Sequence, residues 1–394
     1  MRATAITSLL LAASAVHGQP TPHKENQAIY VLTNNHENAV IGLPIQENGL
    51  LGEAVATFTG GAGEAGVDSD GVPAGPDSLF SQGAVAVAGE YVFAVNPGDS
   101  TISQLKVNRH SPSKLTLLDT AKIPGQFPNS VAATAMGNLV CVGATGTEAG
   151  ISCTTFSDHG LGDFDALRPF HLNQTTPATG PPNTLSHVLF NTDSTALYAL
   201  VKGDGTPENP GFISVFPVQY GCKPKSAAQV SLDGIRSSPA GTGLLFGAAI
   251  VPSSGLLFAT DPGFGVSILE VNTQTHTAIS RANTKIPDQS ATCWAAYSPK
   301  SSSVFVTDVN VNRLVEVDAE DGKVLSIANL PTEDPGLVDL WVVGNFLYAL
   351  SPGNRTTDAA VVVYDFDTEK LVQRVSLEHL GAGPSAMGMA YIRI

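Results

Sequence analysis

Short apolar runs recur along this chain, each closing on a polar turn. They occupy residues 29–34 (Ile-Tyr-Val-Leu-Thr-Asn), 91–96 (Tyr-Val-Phe-Ala-Val-Asn), 139–144 (Leu-Val-Cys-Val-Gly-Ala), 197–202 (Leu-Tyr-Ala-Leu-Val-Lys), 256–261 (Leu-Leu-Phe-Ala-Thr-Asp), 303–308 (Ser-Val-Phe-Val-Thr-Asp) and 346–351 (Phe-Leu-Tyr-Ala-Leu-Ser). The seven copies start 62, 48, 58, 59, 47 and 43 residues apart. From the second copy onward each sits in one frame. A short small-residue strand precedes it, as at 295–298, and an alternating strand follows, as at 313–318, before a turn and a fourth strand at 324–327. Period-two alternation broken by turn residues reads as four antiparallel strands. A repeat of about 40–50 residues suits a propeller blade.

The first copy lacks its inner strand, and the C-terminus supplies an unclaimed one at 386–394 (Ala-Met-Gly-Met-Ala-Tyr-Ile-Arg-Ile). Ring closure uses both facts, because a closed ring leaves only short, protected edges. The expected fold is all-β: a seven-bladed β-propeller whose C-terminal strand joins the first blade, with residues 19–394 as a single domain.

Composition sharpens this picture. Gly 39 and Pro 26 make a turn-rich chain, and charged residues are only 14% of it, which argues against a helical bundle. A hydrophobic fraction of 43% is ample for a packed core. Lys+Arg 20 against Asp+Glu 35 gives a net charge of −15. Nucleic acid and anionic membrane surfaces need clustered basic residues, so neither is expected as a partner.

The N-terminus has Arg2, a short apolar run over 5–16 and Gly18, the layout of a cleaved secretory signal over residues 1–18. The run is too short to span a bilayer, and no later stretch is long enough. A secreted or secretory-pathway protein is expected. Asn173 and Asn354 then stand in glycosylation sequons. Of four cysteines, Cys141 and Cys153 lie on strands joined by a Gly-rich turn and are expected to bridge. Cys222 and Cys293 could pair or remain buried thiols. Cys/His metal spacing is missing, so no metal site is expected.

The stretch 182–200 (Pro-Asn-Thr-Leu-Ser-His-Val-Leu-Phe-Asn-Thr-Asp-Ser-Thr-Ala-Leu-Tyr-Ala-Leu) resembles a Gly-Pro-Arg-His-x-x-Phe-x-Pro-Asp-Gly-Lys-x-x-Tyr-Val blade motif. That motif marks the seven-bladed lactonase-type propellers, which include 6-phosphogluconolactonases and 3-carboxy-cis,cis-muconate lactonizing enzymes. The resemblance covers the mature chain as a blade pattern. His187 falls on the motif's His and Phe190 on its Phe, while Ser186 takes the place of its Arg. Aligning other blades puts Phe246, Cys293 and Met387 level with Ser186, and Trp294 level with His187. The family uses Arg and His at the ring mouth to hold anionic substrates. Neutral or apolar residues at those positions imply a neutral, largely apolar ligand here.

The same resemblance places a ligand near the starts of the inner strands and the loops between second and third strands. Those loops carry Glu37, Asp99, Glu148, Asp204, Glu208, Asp261, Asp308 and Asp358 against Lys202 and Arg355. The acids either mark a cation site or reflect the preference of turns for Asp. The longest insertion, 60–81, could be a lid or a surface loop. Its Asp68-Ser-Asp-Gly71 is faintly calcium-like but has no glutamate at the twelfth position.

His187 is the sharpest catalytic candidate, because imidazole exchanges protons near neutral pH; a hydrogen-bonded channel residue is the plainer alternative. Asp339 could be its partner acid. Asn129 and Ser130, together with Ser186, could donate to a substrate carbonyl. Trp294, Trp341, Phe246 and Met387 could form an apolar wall or simply pack between blades. Neither a Gly-x-Ser-x-Gly elbow nor a dinucleotide fingerprint is present. A cofactor-independent monomer acting on a small hydrophobic molecule is the expectation: a cyclase or isomerase, such as a fungal pericyclase of the hetero-Diels–Alder kind forming tropolone–terpenoid adducts. The alternatives are a non-catalytic surface glycoprotein, such as an antigen or adhesin, and a lactonase or carboxymuconate cyclase drawing its basic group from elsewhere, Arg236 being the best placed.

Overall fold

A computed structural model describes residues 26–221 and 228–394. It contains seven antiparallel sheets, numbered here as blades I to VII in the order of their second strands. The recurring apolar run is the second strand from the axis in every blade. In blade II that strand, Tyr91–Asn96, is buried at all but its first residue. Strands covered on both faces read as continuous apolar runs rather than alternating ones. Outermost strands do alternate: in blade V, Ala278–Lys285 switches between covered and exposed positions along its length.

The C-terminal strand Met387–Arg393 pairs with Gln27–Leu32 and becomes the innermost strand of blade I. The last strand thus completes the first blade, as the unclaimed C-terminal run implies. Cys141 and Cys153 stand directly opposite each other on neighbouring strands of blade III and form a disulfide. Cys293 is buried at the start of the blade VI inner strand and has no disulfide partner among the described residues. Cys222 and residues 1–18, the stretch read as a secretory signal, lie outside the described residues. No helix among the described residues is long and apolar enough to cross a membrane.

The inner strands are Val85–Ala88, Pro128–Thr134, Leu185–Phe190, Ala248–Ile250, Thr292–Ser298, Val338–Val343 and Met387–Arg393. Several carry a bulge at their second residue. Pairing skips Asn129, Ser186, Cys293 and Asp339. A bulge turns its extra residue out of the ladder and re-aims it. In blade V, Phe246 N–H donates to Thr260 O while Gly247 O accepts from Thr260 N–H and Ala248 pairs with Ala259, so Phe246 is the extra residue. In blade I the bulge follows Met387, at Gly388.

The segment 78–83 threads into the channel at this bulged end. Asn34 Nδ2 donates to Ser78 Oγ, and Ser81 Oγ donates to Asn129 O. Gln82 N–H donates to Ser186 O, and Gly83 O accepts from Val131 N–H. The Gln82 amide pairs both ways with the Ala295 backbone, at 2.8 Å to its O and 3.2 Å from its N. The insertion is therefore a plug that fills the upper channel. Truncating Gln82 leaves two buried backbone groups of Ala295 unpaired, each costing about 1–3 kcal/mol. Gln82→Ala is expected to lower unfolding free energy by about 3 kcal/mol in urea titrations, whereas a surface loop would show a change within about 0.5 kcal/mol.

Candidate functional site

Below the plug the channel opens into a cavity of about 620 Å³. Its roof is the underside of the plug, Gln82 and Gly83, with His187 from blade IV and Asp339 from blade VII. Its walls are inner-strand side chains, mostly small and apolar, such as Ala132, Ala248 and Ala296. Toward the C-terminal ends of those strands stand Trp341 and Tyr391. The two rings stack with centroids 6.2 Å apart, and Trp341 is 39% exposed. No Lys or Arg lines the cavity.

Buried strands deliver the two roof groups. His187 is the residue after the bulge at Ser186, and its Nδ1 accepts from Ala248 N–H at 3.2 Å. Burial pushes its imidazolium down to about 3, so the ring is neutral across the physiological range. Asp339 is the bulge residue of its own strand. Its Oδ2 accepts from Gly83 N–H at 3.2 Å and Met389 N–H at 3.1 Å, and its Oδ1 from Leu340 N–H at 3.0 Å. Burial dominates and raises this carboxyl to about 7, although the three backbone donors pull it down. Gly83 sits between the two groups: it donates to Asp339, and a Cβ on it would stand 3.2 Å from both Cδ2 and Nε2 of His187. Its φ of +81° adds a second reason for glycine there.

The structure brings together His187, Asp339 and Trp341 from the sequence candidates and separates the others from them. Asn129 and Ser130 are fully buried against the plug: Asn129 Nδ2 donates to Leu79 O and Leu185 O, and Ser130 Oγ to Gln82 O. Ser186 Oγ donates to Leu200 O and Leu245 O. Trp294 donates from Nε1 to Ser81 O and packs edge-on against Phe246, with centroids 5.1 Å apart. Met387 is wholly buried beside Leu32 in blade I. These six hold the plug and the blades and are not among the residues that line this cavity. Phe246 shares the bulge position of Ser186, whereas Met387 pairs with Leu32 and the bulge in blade I follows it, at Gly388.

On the upper rim, two of the eight acids follow the turn alternative. Asp261 and Asp308 are buried and accept loop N–H groups, Gly243 and Leu244 for the first, Ser290 and Ala291 for the second. Asp68 accepts from Asp70 and Val72 N–H within its own turn. No group of three or more His, Cys, Asp or Glu among the described residues could hold a metal ion. Lys202, counted as a rim base, is buried against the plug and outside the cavity lining, where it donates to Phe80 O and faces the Phe246 ring at 4.2 Å. Burial pushes its amine down, and the nearby Asp77 carboxyl is pushed up by the same cause. Arg236 lies on the outer edge of blade IV over Phe170 and Phe212, far from the axis. Asn173 and Asn354 are exposed.

Sequence reasoning missed Gln82, Gly83, Asp77 and the burial of Lys202. A glycine-rich stretch between two blades was the signal available, and it does not say whether the loop folds inward.

No family profile and no curated protein matches the sequence. Solved structures match by shape. A protein of Bacteroides fragilis provisionally assigned as a 6-phosphogluconolactonase aligns over 95% of this chain and 100% of its own, with a TM-score of 0.61 at 12% identity. A protein of Bacteroides uniformis with the same provisional assignment aligns over 93% and 100%, at 0.59 and 15%. AztD from Citrobacter koseri aligns over 93% and 97%, at 0.51 and 10%. The chain has a lactonase-like propeller fold.

The roof makes a signed prediction. Between the ordinary carboxyl value of 3.8 and about 7, folded Asp339 holds a proton that the unfolded chain has released, so its contribution to stability falls as pH rises through that window. His187 acts oppositely: its contribution is lost as pH falls from 6.5 toward about 3. Asp339→Asn removes only the first. Its stability relative to the parent should climb by about 1.4 kcal/mol per pH unit between about pH 4 and 7. Urea unfolding at several pH values checks this, and a flat difference would place Asp339 in contact with water.

Proposed function

We propose that this chain is a cofactor-independent enzyme of the cyclase or isomerase kind. It acts on a small, neutral, apolar molecule bound in the lower channel. One observation carries the reading: a sizeable, largely apolar cavity, with no Lys or Arg among the described residues that line it, holds at its roof a neutral histidine and a carboxyl near its titration point. A carboxyl poised near neutral pH can give or take a proton, the condition for acid–base help. Walls that fold a flexible substrate into one shape supply much of the rest, since orientation alone is worth several kcal/mol. A pericyclic closure of the hetero-Diels–Alder kind is the finer form of this proposal, because it needs confinement and one polarised oxygen.

A secretory-pathway address is part of the proposal. The Cys141–Cys153 disulfide supports it, since such bonds persist in oxidising compartments, as do the exposed asparagines of both sequons. The lactonase reading is favoured by the shape likeness to the two Bacteroides proteins. Against it, a phosphorylated or carboxylated substrate calls for cationic partners, and the cavity lining offers none.

The test is metabolite comparison in the source organism with the gene deleted, then restored. A cyclised product should vanish while an open precursor accumulates. Restoration with His187→Ala should lower product formation at least tenfold, about 1.4 kcal/mol in the barrier. A metabolite pattern indifferent to deletion would instead favour a surface glycoprotein.

A further inference from the structure

The hydrogen bond from Ala248 fixes more than the position of His187. A neutral imidazole carries one proton, and a nitrogen that accepts an N–H is not the one that carries it. With Nδ1 accepting from Ala248 N–H, the proton sits on Nε2. Nε2 has no acceptor among the described residues, and the ring edge bearing it lies against Gly83 at the cavity roof. His187 is thus a hydrogen-bond donor without a partner among the described residues, nine-tenths buried at the cavity roof.

Asp339 points the same way. Both of its oxygens already accept backbone N–H groups, three in all. A ligand hydroxyl or amine would find at most one free acceptor site on Asp339 and a histidine that can only donate. A ligand oxygen without a hydrogen of its own fits: it accepts from Nε2, and from the Asp339 hydroxyl in the protonated state. At the other end of the cavity the stacked Trp341 and Tyr391 present an aromatic surface. Between the two ends the walls are mostly apolar side chains such as Ala132, Val131 and Ala296, with Thr134, Asn191 and Ser194 as the polar members, Thr134 and Ser194 hydrogen-bonded to each other.

We propose that the lower cavity is a site for an uncharged carbonyl compound with a flat, unsaturated skeleton. Its oxygen lies at the roof on His187 Nε2–H and its ring system reaches toward Trp341. His187 serves as a donor that polarises the carbonyl, not as the base. This proposal rests on the reading of the lower cavity as an apolar ligand site and adds the substrate class and the direction of the key hydrogen bond. Donation in a water-poor site is worth far more than in water, and it increases as negative charge grows on the oxygen during reaction.

The probes are 2-acetylnaphthalene and its hydrocarbon counterpart 2-ethylnaphthalene, titrated by calorimetry into the full-length protein. The ketone should bind at least tenfold more tightly, and its C=O stretch should move to lower frequency on binding, read by difference infrared spectroscopy on the unmodified protein. His187→Gln, which keeps an N–H donor, should retain both effects. His187→Leu should bind the two probes alike with no shift. Equal binding by the unmodified protein with an unshifted C=O would overturn the donor role while leaving an apolar site in place. Failure of both probes to bind would remove the apolar-ligand reading itself, and this inference with it.

Discussion

Six residues threaded into the ring decide what the rest of this molecule can do. The segment 78–83 gives or takes hydrogen bonds from blades I, III, IV, VI and VII, largely through backbone groups. Buried backbone N–H and C=O groups must be paired, so a chain lying in the channel needs partners from several directions. The bulged starts of the inner strands supply them. Asn129, Ser186 and Asp339 are each turned out of their ladders by a bulge, and each bonds either the plug or a neighbouring blade. With the upper end filled, the accessible space lies below, and its roof is whatever the plug leaves facing down.

That roof explains the electrostatics. His187 and Asp339 lose water because plug and blades cover them, and no counter-charge replaces it. Burial therefore drives both toward neutrality, the histidine downward and the carboxyl upward. Lys202, whose amine feels the nearby Asp77 carboxyl, sits outside the cavity lining, tied to Phe80 O and the Phe246 ring.

The architecture was legible in the sequence because second strands are covered on both faces and so appear as uninterrupted apolar runs. Ring closure followed from a strand without a blade at one end and a blade without a strand at the other. The site was legible only in part. His187, Asp339 and Trp341 stood out as unusual side chains on inner strands. The direction of the cavity did not, since bonds to backbone carbonyls such as those of Gln82 and Ser81 leave no residue pattern. Met387 was set one residue away from the bulge because a glycine at a bulge looks like an ordinary strand residue. Lys202 closes an apolar run and reads as a rim base, yet the insertion some 120 residues earlier folds over it.

The central claim is that ligands occupy the lower channel beneath Gly83 and enter past Trp341. A crystal of the protein soaked with 4-iodoacetophenone and measured for iodine anomalous scattering tests it most directly. The account predicts an iodine peak between the inner strands on the Trp341 side, with the ketone oxygen at His187. A peak among the upper loops beside Asp261 or Asp308, with the lower cavity empty, would contradict it.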